Sequence, residues 1–204
     1  MKRQAHMTNN YKDVVSPSTP RMGNALTRWI GRMILKMIGW KMTGRLPDRK
    51  QIIIIGAPHT SNWDLILAMG CMLAAGLRFS WMMKKEAFFW PLGSLWKALG
   101  GIPIDRGGDV DVVGQISEYF QNNDNVWIGL TPEGTRSKVE TFKKGYLRMA
   151  YGTGVPLFVI GINAPTKEVV LDKIWETTGD LETDNAAVKA YFDANFKGIR
   201  PEYG

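Results

Sequence analysis

Residues 51–56 run through four consecutive isoleucines, Ile52 to Ile55. Side chains branched at Cβ are stiff at χ1 and favour extended backbone. An unbroken apolar run, with no polar alternation, belongs to a strand covered on both faces, the environment found inside a parallel sheet. Such a strand needs helices on either side, and the rest of the sequence supplies them. Helices are expected over 62–75, 91–99, 110–121, 142–151 and 185–196. Strands are expected over 78–83, 101–104, 126–130, 156–162 and 168–171. The alternation predicts an α/β fold, a mixed and largely parallel sheet flanked by helices, occupying residues 45–204.

The first quarter of the chain has a different character. Residues 1–23 are polar and carry Ser16-Pro17-Ser18-Thr19-Pro20, which reads as a flexible leader. Over 24–44, Leu26, Trp29, Ile30, Met33, Ile34, Met37 and Ile38 recur at helical spacing, with Arg28, Arg32 and Lys36 in a stripe beside them. This amphipathic helix fits either packing on the domain or lying at a lipid interface, and the basic stripe favours the second. Residues 1–50 hold eleven basic and two acidic side chains, a net +9, so the remainder carries −2 of the formal +7. That asymmetry points to a negatively charged partner, and an anionic membrane surface fits it better than nucleic acid. The arginines alternate with long apolar side chains and form no nucleic-acid reading motif. The longest uncharged apolar run, 65–77, is short of the roughly 20 residues needed to cross a bilayer. Attachment is therefore expected to be peripheral, at the cytoplasmic face. With one cysteine, Cys71, and two histidines, His6 and His59, neither a disulfide nor a metal site is expected. Cys71 falls among Met69, Met72 and Leu73 and reads as a small buried apolar residue.

Three polar clusters follow strands. In Ala57-Pro58-His59-Thr60-Ser61-Asn62-Trp63-Asp64, His59 belongs to the turn after the isoleucine strand and Asp64 to the first turns of the next helix. From there Asp64 reaches back to one ring nitrogen, fixing the tautomer and leaving the other to take a proton from a hydroxyl. A plain N-terminal Asp and a turn His is the alternative. In Gly100-Gly101-Ile102-Pro103-Ile104-Asp105-Arg106-Gly107, a strand delivers Arg106 into a glycine-rich turn suited to phosphate, or to pairing with Asp105 or Asp109. Thr131-Pro132-Glu133-Gly134-Thr135-Arg136-Ser137 follows a third strand, where Gly134 permits close backbone approach and Thr135, Arg136 and Ser137 offer donors. A fourth stretch, Gly154-Val155-Pro156-Leu157-Phe158-Val159-Ile160, reads first as a core strand.

In this order and spacing the four stretches, over about residues 51–165, resemble the signature blocks of the acylglycerolphosphate acyltransferase family (lysophosphatidate and glycerol-3-phosphate acyltransferases). The resemblance implies His59 as general base with Asp64, and Arg106 on the acceptor's phosphate. It implies Glu133, Gly134, Thr135 and Arg136 around the acceptor, and Pro156 at the apolar end of the substrate site. It also implies transfer of a fatty-acyl group from acyl-CoA or acyl carrier protein, used as co-substrate with no cofactor, to a hydroxyl of a lysophospholipid such as 1-acyl-glycerol-3-phosphate. The sequence departs from the family at Pro58, where members commonly carry Asn, and at Thr131, where Phe is frequent. Both flank the acceptor pocket, so a phosphate-free lyso-lipid stays open as the acceptor. A non-catalytic lipid-binding module is the remaining alternative.

Overall fold

The computed structural model describes residues 14–105, 107, 111–200 and 202. The isoleucine strand, β2 (Gln51–Ala57), lies at the centre of a seven-stranded sheet. The other strands are β1 (Lys41–Gly44), β3 (Ser80–Lys84), β4 (Gly101–Ile104), β5 (Val126–Leu130), β6 (Leu157–Asn163) and β7 (Glu168–Trp175). Their order is β1-β7-β6-β2-β5-β3-β4, and every neighbouring pair is parallel except β6 with β7. The predicted largely parallel α/β sheet is thus the observed one.

Strand geometry sends successive side chains to opposite faces, and the isoleucines divide accordingly. Ile52 and Ile54 join a core with Leu35, Leu67, Met72, Trp127 and Phe158. Ile53 and Ile55 join a second core with Ile116, Tyr146, Leu147, Val188 and Phe192. All four are at most 6% exposed, and burying each stabilises the fold by about 1.5–3 kcal/mol. Helices α1 (Ala25–Ile38) and α2 (Trp63–Ala75) cover the first face. Helices α4 (Val112–Gln121), α5 (Gly145–Thr153) and α6 (Leu181–Asn195) cover the second, and the short α3 (Leu92–Leu99) leads into β4.

The N-terminal region differs from its expectation at residues 14–23. Residues 14–23, read as part of a flexible leader, are fastened to the domain: Val14 is 1% exposed, its carbonyl accepts from Leu46 N–H, and Pro20 and Gly76 carbonyls accept from Arg78 and Met22. Leader residues 1–13 lie outside the described residues. The amphipathic helix also packs on the domain. Gly31 sits against the Leu73–Ala74 backbone and Gly70 against Ile34 and Leu35, an antiparallel pairing so close that a Cβ on Gly31 would fall 2.3 Å from Ala74 N. The helix nonetheless leaves Leu26, Trp29, Ile30 and Met37 exposed. Strand β1 and the second half of β7 were not foreseen, because their residues lack a clear two-residue apolar alternation.

Candidate active site

The centre of the sheet is a switch point, since the chain runs from β2 toward β3 on one side and from the adjacent β6 to β7 on the other, and ligands in open α/β sheets gather beyond the strands' carboxyl ends there. The chain leaves β2 at that end through Pro58 and His59 and enters α2 at Trp63. This places His59 in the turn and Asp64 in the helix's first turn. His59 Nδ1 lies 3.0 Å from Asp64 Oδ2, and the same oxygen accepts from the backbone N–H groups of Thr60 and Ser61, each at 2.8 Å. Asp64 is 5% exposed, whereas the His59 side chain retains 20%. An ionised carboxylate only accepts, so Nδ1 carries the shared proton and Nε2 is left with its lone pair. A ring so held can receive a proton from a hydroxyl and then stabilise the imidazolium through the same carboxylate. Asp64 Oδ1 is buried with no partner among the described residues.

The loop after β5 closes on this turn. Glu133, 7% exposed, accepts the His59 backbone N–H with both carboxylate oxygens, at 2.9 and 3.1 Å. Burial pushes its carboxyl up to about 7, against the lowering effect of that N–H. Glu133, which the resemblance places around the acceptor, has as its partner here the main chain of the His59 turn. Gly134 adopts φ 62°, the left-handed region where a side chain is strained. The loop is tied down by Lys143 N–H donating to the Pro132 carbonyl at 2.9 Å. Thr135 and Arg136 are exposed near its tip, and Thr135 Oγ1 accepts from Ser137 N–H. The following Lys143–Lys144 pair precedes α5; Lys143 is exposed and Lys144 pairs with Glu182.

Two expected residues remain, Arg106 and Pro156. Arg106 lies outside the described residues; its neighbour Asp105, at the end of β4, forms an ion pair with Lys85. Pro156 sits at the opposite end of the sheet, where its carbonyl accepts from Ile53 N–H at 3.0 Å. Six chain positions, four of them within β2, separate Ile53 from His59, at most about 20 Å at 3.3 Å per residue. Pro156 immediately precedes β6. Cys71 is buried in α2, where desolvation pushes its thiol up to about 12, as fits an apolar packing role.

Sequence reasoning missed the C-terminal segment. Phe196 seats on Gly161, and Lys197 N–H donates to the Ile162 carbonyl at 3.1 Å. Beyond it Gly198 lies against the Thr60 side chain, and Arg200 N–H donates to Thr60 Oγ1 at 3.1 Å. Thr60 is 3% exposed and carries one of the N–H groups that hold Asp64. Residues 198–200 therefore clasp the His59 turn through Thr60. No motif announces this, because the contact joins residues 140 positions apart.

A family model described as Acyltransferase matches residues 40–163, more than half of the chain and all three of the clusters just described. The chain belongs to the acyltransferase family. It is 30% identical over 161 residues to a 1-acyl-sn-glycerol-3-phosphate acyltransferase of Haemophilus influenzae, which covers 74% of this chain but 65% of that relative's length. Its fold is similar to the crystal structure of PlsC, the 1-acyl-sn-glycerophosphate (LPA) acyltransferase of Thermotoga maritima. The TM-score there is 0.56 and the identity 22%, covering 83% of this chain and 78% of the other. The acyltransferase match begins at Trp40, so α1 and the residues before it lie outside the matched stretch.

Proposed function

We propose that this acyltransferase moves a fatty-acyl group from a thioester, acyl-CoA or acyl carrier protein, to the free hydroxyl of a 1-acyl-glycerol-3-phosphate-type lysophospholipid. The observation that carries the reading is the His59 ring fixed by the buried Asp64 carboxylate, with no hydrogen bond to Nε2 among the described residues. The acceptor hydroxyl gives its proton to Nε2 while its oxygen attacks the thioester carbonyl carbon. The C–O bond forms, the C–S bond breaks, and the departing thiolate takes up the proton as a thiol. A thiol ionises near pH 8.5, so it leaves without a dedicated acid. A serine or cysteine nucleophile is not required. The named activity of the Haemophilus relative supports the acceptor class, and Arg136 on the exposed loop suits its phosphate. The test is to incubate purified protein with acyl thioesters and lysophosphatidate and identify products by mass. Absence of diacyl product with every donor would end this reading.

A phosphate-free lyso-lipid is the second acceptor class, favoured by Pro58 beside Glu133 and Thr131 at the loop's base. A panel of lyso-lipids in the same assay separates the two.

The site is proposed to work at a membrane surface, on the cytoplasmic face where acyl thioesters are supplied. No helix among the described residues is long and apolar enough to cross a membrane. Trp29 (58% exposed) and Met37 (79%) on α1, with Trp63 and Leu65 at the start of α2, present apolar side chains beside basic ones. Flotation with vesicles should show binding that rises with anionic lipid and falls with added salt.

A further inference from the structure

A cavity of about 410 Å³ opens between the loop after β5 and helix α6. Its base is formed by Pro58, the residue before His59, and by Glu133, whose carboxylate holds the His59 N–H. Its walls are the rings of Phe142, Phe192 and Phe196. Three lysines stand among its lining, Lys138, Lys189 and Lys197. Lys189 pairs with Asp193 and lies over the Phe142 ring. Lys138 and Lys197 are exposed and make no ion pair among the described residues. The walls are firm: Asn185, 4% exposed on α6, donates to the Phe142 carbonyl and accepts from Tyr146. The volume falls within the roughly 300–1,000 Å³ range of small-ligand sites.

The position of this cavity decides what it suits. Its phenylalanines belong to the core on the α4–α5–α6 face of the sheet. The exposed apolar side chains of α1 and α2 lie over the other face. The catalytic turn stands between them. A lipid acceptor reaches the turn from the apolar side. A thioester donor arrives from water, on a long arm that is amphipathic near the sulfur and carries phosphate at its far end. That arm needs an opening away from the lipid, a throat that accepts methylene and amide groups, and cations at the rim. Lysine serves phosphate as a mobile point charge.

We propose that this cavity is the donor's port: it takes the phosphopantetheine arm shared by coenzyme A and acyl carrier protein, with the phosphate on Lys138 and Lys197. The proposal rests on the thioester reading of the site given above. It assigns binding only; the bonds made and broken are those already written for acyl transfer.

The test uses the full chain and the double variant K138E/K197E. Kinetics are measured against each substrate in turn, with acyl-CoA and with acyl carrier protein as donors. Binding of free coenzyme A is followed by calorimetry. The expected result is a rise of about tenfold or more in KM for both donors, an acceptor KM within about twofold of wild type, and weakened coenzyme A binding at an unchanged thermal midpoint. A ten-fold change corresponds to about 1.4 kcal/mol. Unchanged donor KM and coenzyme A binding overturn the port. A rise confined to the acceptor KM overturns it too, by giving the cavity to the other substrate. A rise with acyl carrier protein alone shows the lysines reading the carrier's surface, again against the port. Should the wild type transfer no acyl group to any lyso-lipid, the proposed function fails, yet coenzyme A binding by wild type and variant still decides whether the cavity takes this arm.

Discussion

The turn after β2 and the loop tip after β5 lie at the same end of the sheet but are built differently. His59, Thr60, Ser61 and Asp64 form a closed set of hydrogen bonds in which backbone N–H groups do most of the positioning, reinforced from outside by Glu133 and Arg200 N–H. Three members of that set, Thr60, Ser61 and Asp64, are at most 5% exposed. Thr135, Arg136 and Ser137, by contrast, are exposed, and the Ser137 N–H to Thr135 Oγ1 bond is a local one. A proton relay requires atoms fixed to a fraction of an ångström, and a buried network provides that. A charged headgroup needs only cations within reach, which exposed side chains provide at little folding cost. Substitutions in the turn should therefore act on kcat and those at the tip on KM.

The largest effect should come from the relay itself. His59→Ala is expected to lower kcat by 10²–10⁴-fold, the usual worth of positioned general-base catalysis, with both KM values nearly unchanged. Asp64→Asn should fall in the same range, because an amide offered to Nδ1 selects the wrong tautomer. Near-full turnover in a folded His59→Ala protein would erase the distinction between the two regions.

Glu133 gives the next effect, on stability. Its folded carboxyl titrates near 7 and its ordinary value is 4.5. The folded state thus holds this proton more tightly, and the associated stability is complete below about 4.5 and lost as pH rises through about 7. Glu133→Gln keeps an acceptor for the His59 N–H and cannot ionise. Relative to wild type it should gain on the order of 2–3 kcal/mol between pH 4.5 and pH 8, read as a widening gap in thermal midpoint. A constant gap across that range would mean that the carboxyl is solvated, and the turn less closed than described.

Thr60→Val tests the clasp at smaller scale. It removes the acceptor for Arg200 N–H while keeping the side chain's shape. A fall in kcat of roughly tenfold is expected, with both KM values and the thermal midpoint held, and with Thr60→Ser restoring activity. A loss of midpoint in parallel with kcat would reduce the clasp to ordinary packing.

The two regions also differ in how far the sequence reveals them. The isoleucine run located β2, and the alternation after it gave the parallel sheet, because burial on both faces leaves a compositional mark. The spacing of His59 and Asp64 was readable because both lie within one strand-turn-helix unit, where local geometry fixes their approach. The brace from Glu133 spans 74 positions and the clasp from Arg200 spans 140. Such contacts depend on the order of strands in the sheet, which no local pattern encodes. Glu133 was marked as a site residue by its block, but no local pattern ties its carboxylate to a main-chain N–H 74 positions away. Residues 14–23 looked like a leader because Ser, Thr and Pro dominate them. Their fixation comes from backbone groups and from Ser16 and Thr19 side chains bonding each other, a mode that leaves no hydrophobic period.

The smallest effect, and the sharpest on the contrast itself, belongs to Arg136. Its side chain is exposed on the loop tip, so its removal should leave the fold, the thermal midpoint and the relay untouched. A guanidinium meeting phosphate in water is discounted by solvent screening relative to a buried pair. Arg136→Ala should then raise the KM for a phosphate-bearing lyso-lipid by only about fivefold, with kcat within twofold. The increase should shrink as salt is added. Arg136→Lys keeps the charge but loses the two-pronged fit, so an intermediate KM identifies geometry as part of the contact. The acceptor panel supplies the control: a lyso-lipid without phosphate should show no change in KM. If its KM rises equally, Arg136 is acting through the loop rather than on the headgroup, and the tip belongs with the buried turn after all.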